Sequence, residues 1–121
     1  MKYIKKYENS EDNLIEIEIF KSIHNHNLTK VKQLIEEYKN VNFKNWRGQT
    51  PLFVAGVHND LHIIKVLIEA GADWYLCNDF GSYQTDFFDV LNKHNKAYVI
   101  ENYPKEYEKY LLQKKSGKYN L

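Results

Sequence analysis

The chain is poor in the residues that fix structure covalently: one cysteine, Cys77, stands among its 121 residues. A lone cysteine excludes an intramolecular disulfide and a cysteine-rich zinc module, and it fits a reducing compartment. Charge of one sign is lacking too, because 17 Lys plus Arg face 16 Asp plus Glu for a formal net charge of +1. No broad field therefore draws the protein to nucleic acid or to an anionic membrane surface. A run of 18 apolar residues, the minimum for a membrane-spanning helix, is missing. The basic start Met1 to Lys6 leads into Glu8, Asn9, Ser10, Glu11 and Asp12 where a secretory signal needs an apolar stretch. The expectation is a cytoplasmic protein. Arg47 is the single arginine, and the abundance of Lys, Asn, Ile and Tyr around it reflects an AT-rich coding sequence rather than mechanism.

What is present is apolar and periodic. Hydrophobic residues make up 43% and aromatics 15%, enough for one domain over residues 1–121 to bury a core. Sliding the chain along itself by 33 residues aligns Leu28 with Leu61, Lys32 with Lys65, Leu34 with Leu67, Ile35 with Ile68, Glu36 with Glu69, Asn45 with Asn78 and Gly48 with Gly81. A fixed period of this length marks a stacked-repeat architecture.

The middle unit carries the clearest local signals. Gly48 permits a tight turn, Thr50 has a hydroxyl to cap a helix, and Pro51 suits the first helical position because its missing N–H would be unpaired there anyway. These predict a short helix from Pro51 to Val57. Asp60 is placed to cap a second helix whose Ile63, Ile64, Leu67 and Ile68 form one buried stripe, and Gly71 is placed to end it in a left-handed conformation. Neither helix is long enough to persist without tertiary packing.

Gly48-Gln49-Thr50-Pro51-Leu52 and Leu67-Ile68-Glu69-Ala70-Gly71-Ala72-Asp73, at this period and in this order, resemble the two signatures of the ankyrin repeat. The resemblance covers roughly residues 13–103. It implies an all-α solenoid of three units, over residues 13–44, 45–77 and 78–103. A C-terminal capping helix is expected over 104–115, with Tyr107, Tyr110, Leu111 and Lys114 on one face and a frayed tail over 116–121.

The outer units depart from the pattern. Ile17 stands where the first unit would have its capping Thr, and Tyr38 replaces the terminating Gly, so that turn is expected to be reshaped. Leu14 to Ile19 alternates like a strand, but the repeat offset and the caps available at Ser10 or Asp12 favour a helix with Ile15, Ile19 and Ile23 inward. In the third unit, Gly81 and Thr85 are separated by two residues more than Gly48 and Thr50. Thr85 is expected to cap a helix with Phe87, Val90 and Leu91 as its core face.

Signals for catalysis are absent: there is no phosphate loop, no dinucleotide fingerprint and no metal-ligand spacing, so no catalytic residue, cofactor or metal is expected. His58 and His62 have helical spacing, yet the repeat puts them on different helices. The family resemblance implies instead a protein-binding concave face, built from hairpin tips and the ends of first helices. Mapped onto this chain, those positions are Lys44, Trp46, Arg47 and Gln49 in one turn and Cys77, Asp79, Phe80 and Ser82 in the next, with Tyr83 beside them. Val57, His58, His24 and Asn25 supply the helix ends, with Asn92 and Lys93 as further candidates. Trp46 with Arg47 is the best single hint, because both residue types are enriched at binding hot spots. Trp74 and Tyr75 are better read as plugs between repeats.

The expected function is a non-enzymatic adaptor or inhibitor, monomeric, binding another folded protein. An antitoxin-like immunity protein, or a pathogen or viral factor acting in a host cytoplasm, is a narrower alternative. A homo-oligomerising structural protein is the alternative of another class.

Overall fold

The structure, a computed structural model, describes residues 10–75 and 85–119. Seven helices lie among these residues: α1 (Ser10–His24), α2 (Leu28–Tyr38), α3 (Pro51–Val57), α4 (Leu61–Glu69), α5 (Phe87–Val90), α6 (Lys93–Asn102) and α7 (Pro104–Tyr119). The fold is an all-α solenoid. Helix α1 packs on α2 and α3 on α4 as antiparallel pairs; α3 sits between α1 and α5, and α2 lies against α4. One layer is thus α1, α3 and α5, and α2 and α4 back it.

The rival strand reading of Leu14 to Ile19 gives way to helix α1, with Ile19, Phe20 and Ile23 buried and Ile15 packed against them. Each helix pair closes through the same tight turn. His26 and Asn59, which are 33 residues apart, both take positive φ, at 54° and 50°. Their flanking bonds repeat with them: Asn27 N donates to Ser22 O at 2.9 Å and Asp60 N to Ala55 O at 3.2 Å. His and Asn tolerate this conformation better than most residues do. The following residue caps the second helix, Asn27 accepting from Lys30 N at 3.1 Å and Asp60 from Ile63 N at 3.3 Å.

Helix α3 runs over the expected span. Thr50 Oγ1 accepts from Phe53 N at 3.1 Å and Pro51 occupies its first turn. Gly56 lies inside this helix because a Cβ there would stand 3.0 Å from the Val90 side chain and 3.2 Å from the Phe87 carbonyl oxygen. Helix α4 buries Ile63, Ile64, Leu67 and Ile68, and then ends at Gly71 with φ 95°. Ala72 N bonds to Leu67 O and Gly71 N to Ile68 O, both at 3.0 Å, the paired bonds of a Schellman stop. In the first unit, Tyr38 stays helical and Lys39 takes the left-handed turn at φ 60°, so the stop moves one residue along.

The third unit corrects several expectations. Asp86, not Thr85, caps α5: it accepts from Asp89 N at 2.9 Å while the Asp89 carboxylate accepts from Asp86 N at 3.3 Å. This reciprocal box starts the helix one residue later than a Thr85 cap would. Phe87 and Leu91 are buried, but Val90 is only partly so. Helix α7 continues to Tyr119 instead of fraying after Lys115, and Leu111 faces solvent while Tyr110 is buried. The enlarged loop and residues 120–121 of the tail lie outside the described residues.

Trp74 is 2% exposed and packs between Phe87, Phe88, Tyr107 and Tyr110, with ring centroids 5.3–6.3 Å away. It therefore seals the C-terminal end of the stack, although its indole N–H has no hydrogen-bond partner among the described residues. Beside it the Tyr110 hydroxyl donates to Asp86 Oδ2 at 2.8 Å. Burial pushes the Asp86 carboxyl up from its ordinary pKa, against the opposing pull of the Asp89 backbone and Tyr110 bonds.

Asn59 ties the second unit to the third. Its Oδ1 accepts from Asn92 N at 2.8 Å and from the buried Asn95 side chain at 3.2 Å. Asn59→Gly keeps the positive φ and loses only these bonds, whereas Asn59→Ala also strains the turn by about 1 kcal/mol. Urea denaturation should show Asn59→Ala the less stable of the two, and both less stable than wild type.

Candidate functional site

The turn between α2 and α3 is built around Asn45. Its Oδ1 accepts from Arg47 N at 2.9 Å and from Gln49 N at 3.0 Å, and its Nδ2 donates to Gln49 Oε1 at 3.1 Å. Backbone bonds from Asn45 N to Gln49 O and from Gly48 N to Asn45 O close the loop from both sides. A second asparagine fixes its base to the next unit: Asn42 accepts from Asp73 N at 2.9 Å and donates to Gly71 O at 3.2 Å. The tip is held by side-chain-to-backbone bonds and carries Trp46 and Arg47 into solvent. Trp46 is 79% exposed and the Arg47 guanidinium lies over its ring, 5.3 Å from the centroid.

Behind this tip lies an open groove of about 340 Å³, lined by His24, Asn45, Trp46, Arg47, Gln49, Val54, Val57 and His58. The structure thus brings His24, Trp46, Arg47, Gln49, Val57 and His58 together from the residues the sequence singled out. Val57 is 51% exposed on the groove wall. Lys44 is exposed but does not line the groove. Cys77, Asp79, Phe80, Ser82 and Tyr83 lie outside the described residues. Trp74, for which a contact role was the weaker reading, is buried, and Tyr75 is half-buried.

Spacing alone missed the histidine cluster at the inner end of the groove. His24 Nδ1 and His58 Nε2 are 3.0 Å apart, one ring donating and the other accepting, and the rings meet edge to face. His26 also packs edge to face on His58, with centroids 5.2 Å apart, and its Nδ1 lies 2.8 Å from Asp60 Oδ2. The signal was available, since 24 and 58 differ by 34, one more than the repeat, which stacks them on adjacent first-helix ends. His62, by contrast, points away on α4 and is exposed.

No carboxylate among the described residues lines the groove. Among the described residues, no Asp or Glu forms an ion pair with Arg47. Burial holds the His58 pKa below its ordinary value of 6.5; His24 and His26 lower it further and Asp60 opposes them. No group of three or more His, Cys, Asp or Glu side chains among the described residues is arranged to hold a metal ion. Likewise no helix among them is long and apolar enough to cross a membrane.

A stack of antiparallel helix pairs, with capped turns recurring at a fixed period and a groove along the first-helix ends, defines a repeat solenoid. Residues 47–79 match the model of the family described as Ankyrin repeat. The human mitochondrial disaggregase is 39% identical to this chain over 56 residues, which are 46% of this chain and 8% of that protein. The chain therefore spans less than a tenth of that relative's length. The match to an ankyrin repeat thus lies at the centre of an all-α solenoid. Ankyrin repeats generally mediate protein–protein interaction and form a non-enzymatic module.

The His58 shift has a stability consequence. A histidine whose folded pKa lies below its unfolded value leaves the unfolded chain binding more protons, so stability rises with pH across that window. From pH 7 downward, stability should fall as pH drops through 6.5 towards the lowered folded value. Chemical denaturation at several pH values should show this slope flattened in His58→Gln.

Proposed function

We propose that the protein is a non-enzymatic adaptor or inhibitor that holds one folded partner protein through the groove between the Asn45-pinned tip and the His24–His58 pair. The observation that carries this reading is Trp46, 79% exposed with Arg47 stacked on it, at the mouth of a groove of about 340 Å³. Trp and Arg dominate binding energetics where they are enclosed by a partner. The groove volume falls in the range of sites that enclose an anchor side chain. Gln49 and the exposed Val57 extend the same face, and Lys44 stands beside it. The repeat period assigns Cys77, Asp79, Phe80, Ser82 and Tyr83 to its continuation one unit along.

A second reading, self-association, is favoured by Leu111 and Leu112, which are exposed side by side on α7. The two readings use different surfaces and so separate experimentally.

Trp46→Ala/Arg47→Ala removes the anchor pair from an exposed tip, so the fold should persist by circular dichroism. In a pull-down from native lysate, wild type should retain a specific protein that the double variant loses. Equal capture by both would reject this face as the binding site. No capture together with an oligomeric elution mass would favour self-association instead.

A further inference from the structure

We propose that the groove receives an acidic side chain of the partner, an Asp or Glu with an aliphatic neighbour, and that seating its carboxylate between Arg47 and the His24–His58 pair takes up a proton. This rests on the protein-binding reading above and names the chemistry of the partner at that face.

Three features of the groove carry the inference. First, its polar groups are complementary to an anion: Arg47, His24 and His58 line it, and among the described residues no carboxylate does and Arg47 has no ion pair. A guanidinium offers a planar fork of donors that matches a carboxylate. Second, Asp60, the described carboxylate beside the histidines, is engaged elsewhere: its Oδ1 accepts from Ile63 N at 3.3 Å, its Oδ2 lies 2.8 Å from His26 Nδ1, and it does not line the groove. Third, the other wall is largely apolar, with Trp46, Val54 and Val57, which suits an aliphatic side chain next to the acid.

The proton follows from the histidine geometry. At 3.0 Å, His24 Nδ1 and His58 Nε2 satisfy each other only while one of the two nitrogens is unprotonated. One further proton makes a ring cationic beside Arg47, a second turns both facing nitrogens into donors and breaks their bond, and His26, packed on His58, adds to the repulsion. A carboxylate in the groove supplies the missing acceptor, so the occupied groove binds more protons than the empty one. By linkage, affinity must then rise as pH falls, by at most about tenfold per pH unit for one proton. A partner Glu or Asp remains ionised at about pH 5.5, so the gain is not cancelled there.

The test is a nuclear magnetic resonance titration of the full chain with N-acetyl-Leu-Glu-amide, its Leu-Gln isostere and inorganic phosphate, each at about pH 5.5 and 7.5. The Trp46 indole and the ring signals of His24 and His58 report occupancy. The Leu-Glu peptide should shift these signals, bind at least about fivefold more tightly than Leu-Gln, and bind about tenfold more tightly at the lower pH. In His24→Gln/His58→Gln the preference for Glu should survive through Arg47 while the pH dependence disappears; His58→Gln alone serves if the double variant does not fold. Equal binding of the two peptides, no shift with either, or affinity independent of pH in the wild type would overturn the inference. Phosphate matching Leu-Glu would overturn it in favour of a phosphoryl ligand. If the Trp46/Arg47 pull-down finds a partner and this titration shows no preference for the acid, the binding function stands and the acidic anchor falls.

Discussion

No helix pair in this chain can bury its own apolar surface, and the rest of the structure follows from that. Helix α4 is nine residues long, too short to hold its conformation alone, yet Ile63, Ile64 and Leu67 are fully buried in the core it forms with α2 and α3. Each such side chain contributes about 1.5–3 kcal/mol when covered and nothing when the neighbouring unit is absent. Stacking therefore creates the helices as much as it joins them. It also explains why Gly56 is tolerated within α3: the close approach of Val90 and the Phe87 backbone outweighs the modest helix penalty of glycine.

The groove is a by-product of the same stacking. A turn with one geometry recurs at His26 and Asn59, so the ends of successive first helices arrive side by side and His24 meets His58. On the opposite wall the Asn45 and Asn42 side chains bond the backbone of their own loop and of the next unit. Those bonds run through the asparagine side chains and the backbone, and the Arg47 guanidinium makes none of them. Residues that hold the scaffold and residues that face a partner are thus separate sets, which is how a repeat protein varies its surface without changing its fold.

Much of this was legible in the sequence because the signals were local. Thr50, Pro51, Asp60 and Gly71 each act within one turn of helix, and α3 and the stop of α4 lie where those residues put them. Where the pattern was extended by analogy it failed for physical reasons. Thr85 sits where the middle unit has its cap, but Asp86 and Asp89 can cap each other reciprocally and Thr85 cannot match two bonds with one. Leu111 follows Tyr110 on α7, and only the tyrosine has a buried acceptor, Asp86, to draw it inward. The histidine cluster was illegible from spacing within one helix because it joins two turns, at 24–26 and 58–60, a repeat apart. Of the residues expected to bind, those in the Asn45 turn and at the end of α3 do converge on one groove, and their role as contacts is the reading proposed above.

The central claim is that the stack, rather than local turn chemistry, holds the groove in place. Native-state hydrogen exchange tests it most directly. If the claim is right, the most protected amides of α1, α2, α4 and α6, those of Ile23, Val31, Ile64 and Val99 among them, open with one common free energy, equal to that of global unfolding. Strong protection confined to α3 and α4, with α1 and α6 exchanging like an unfolded peptide, would contradict it.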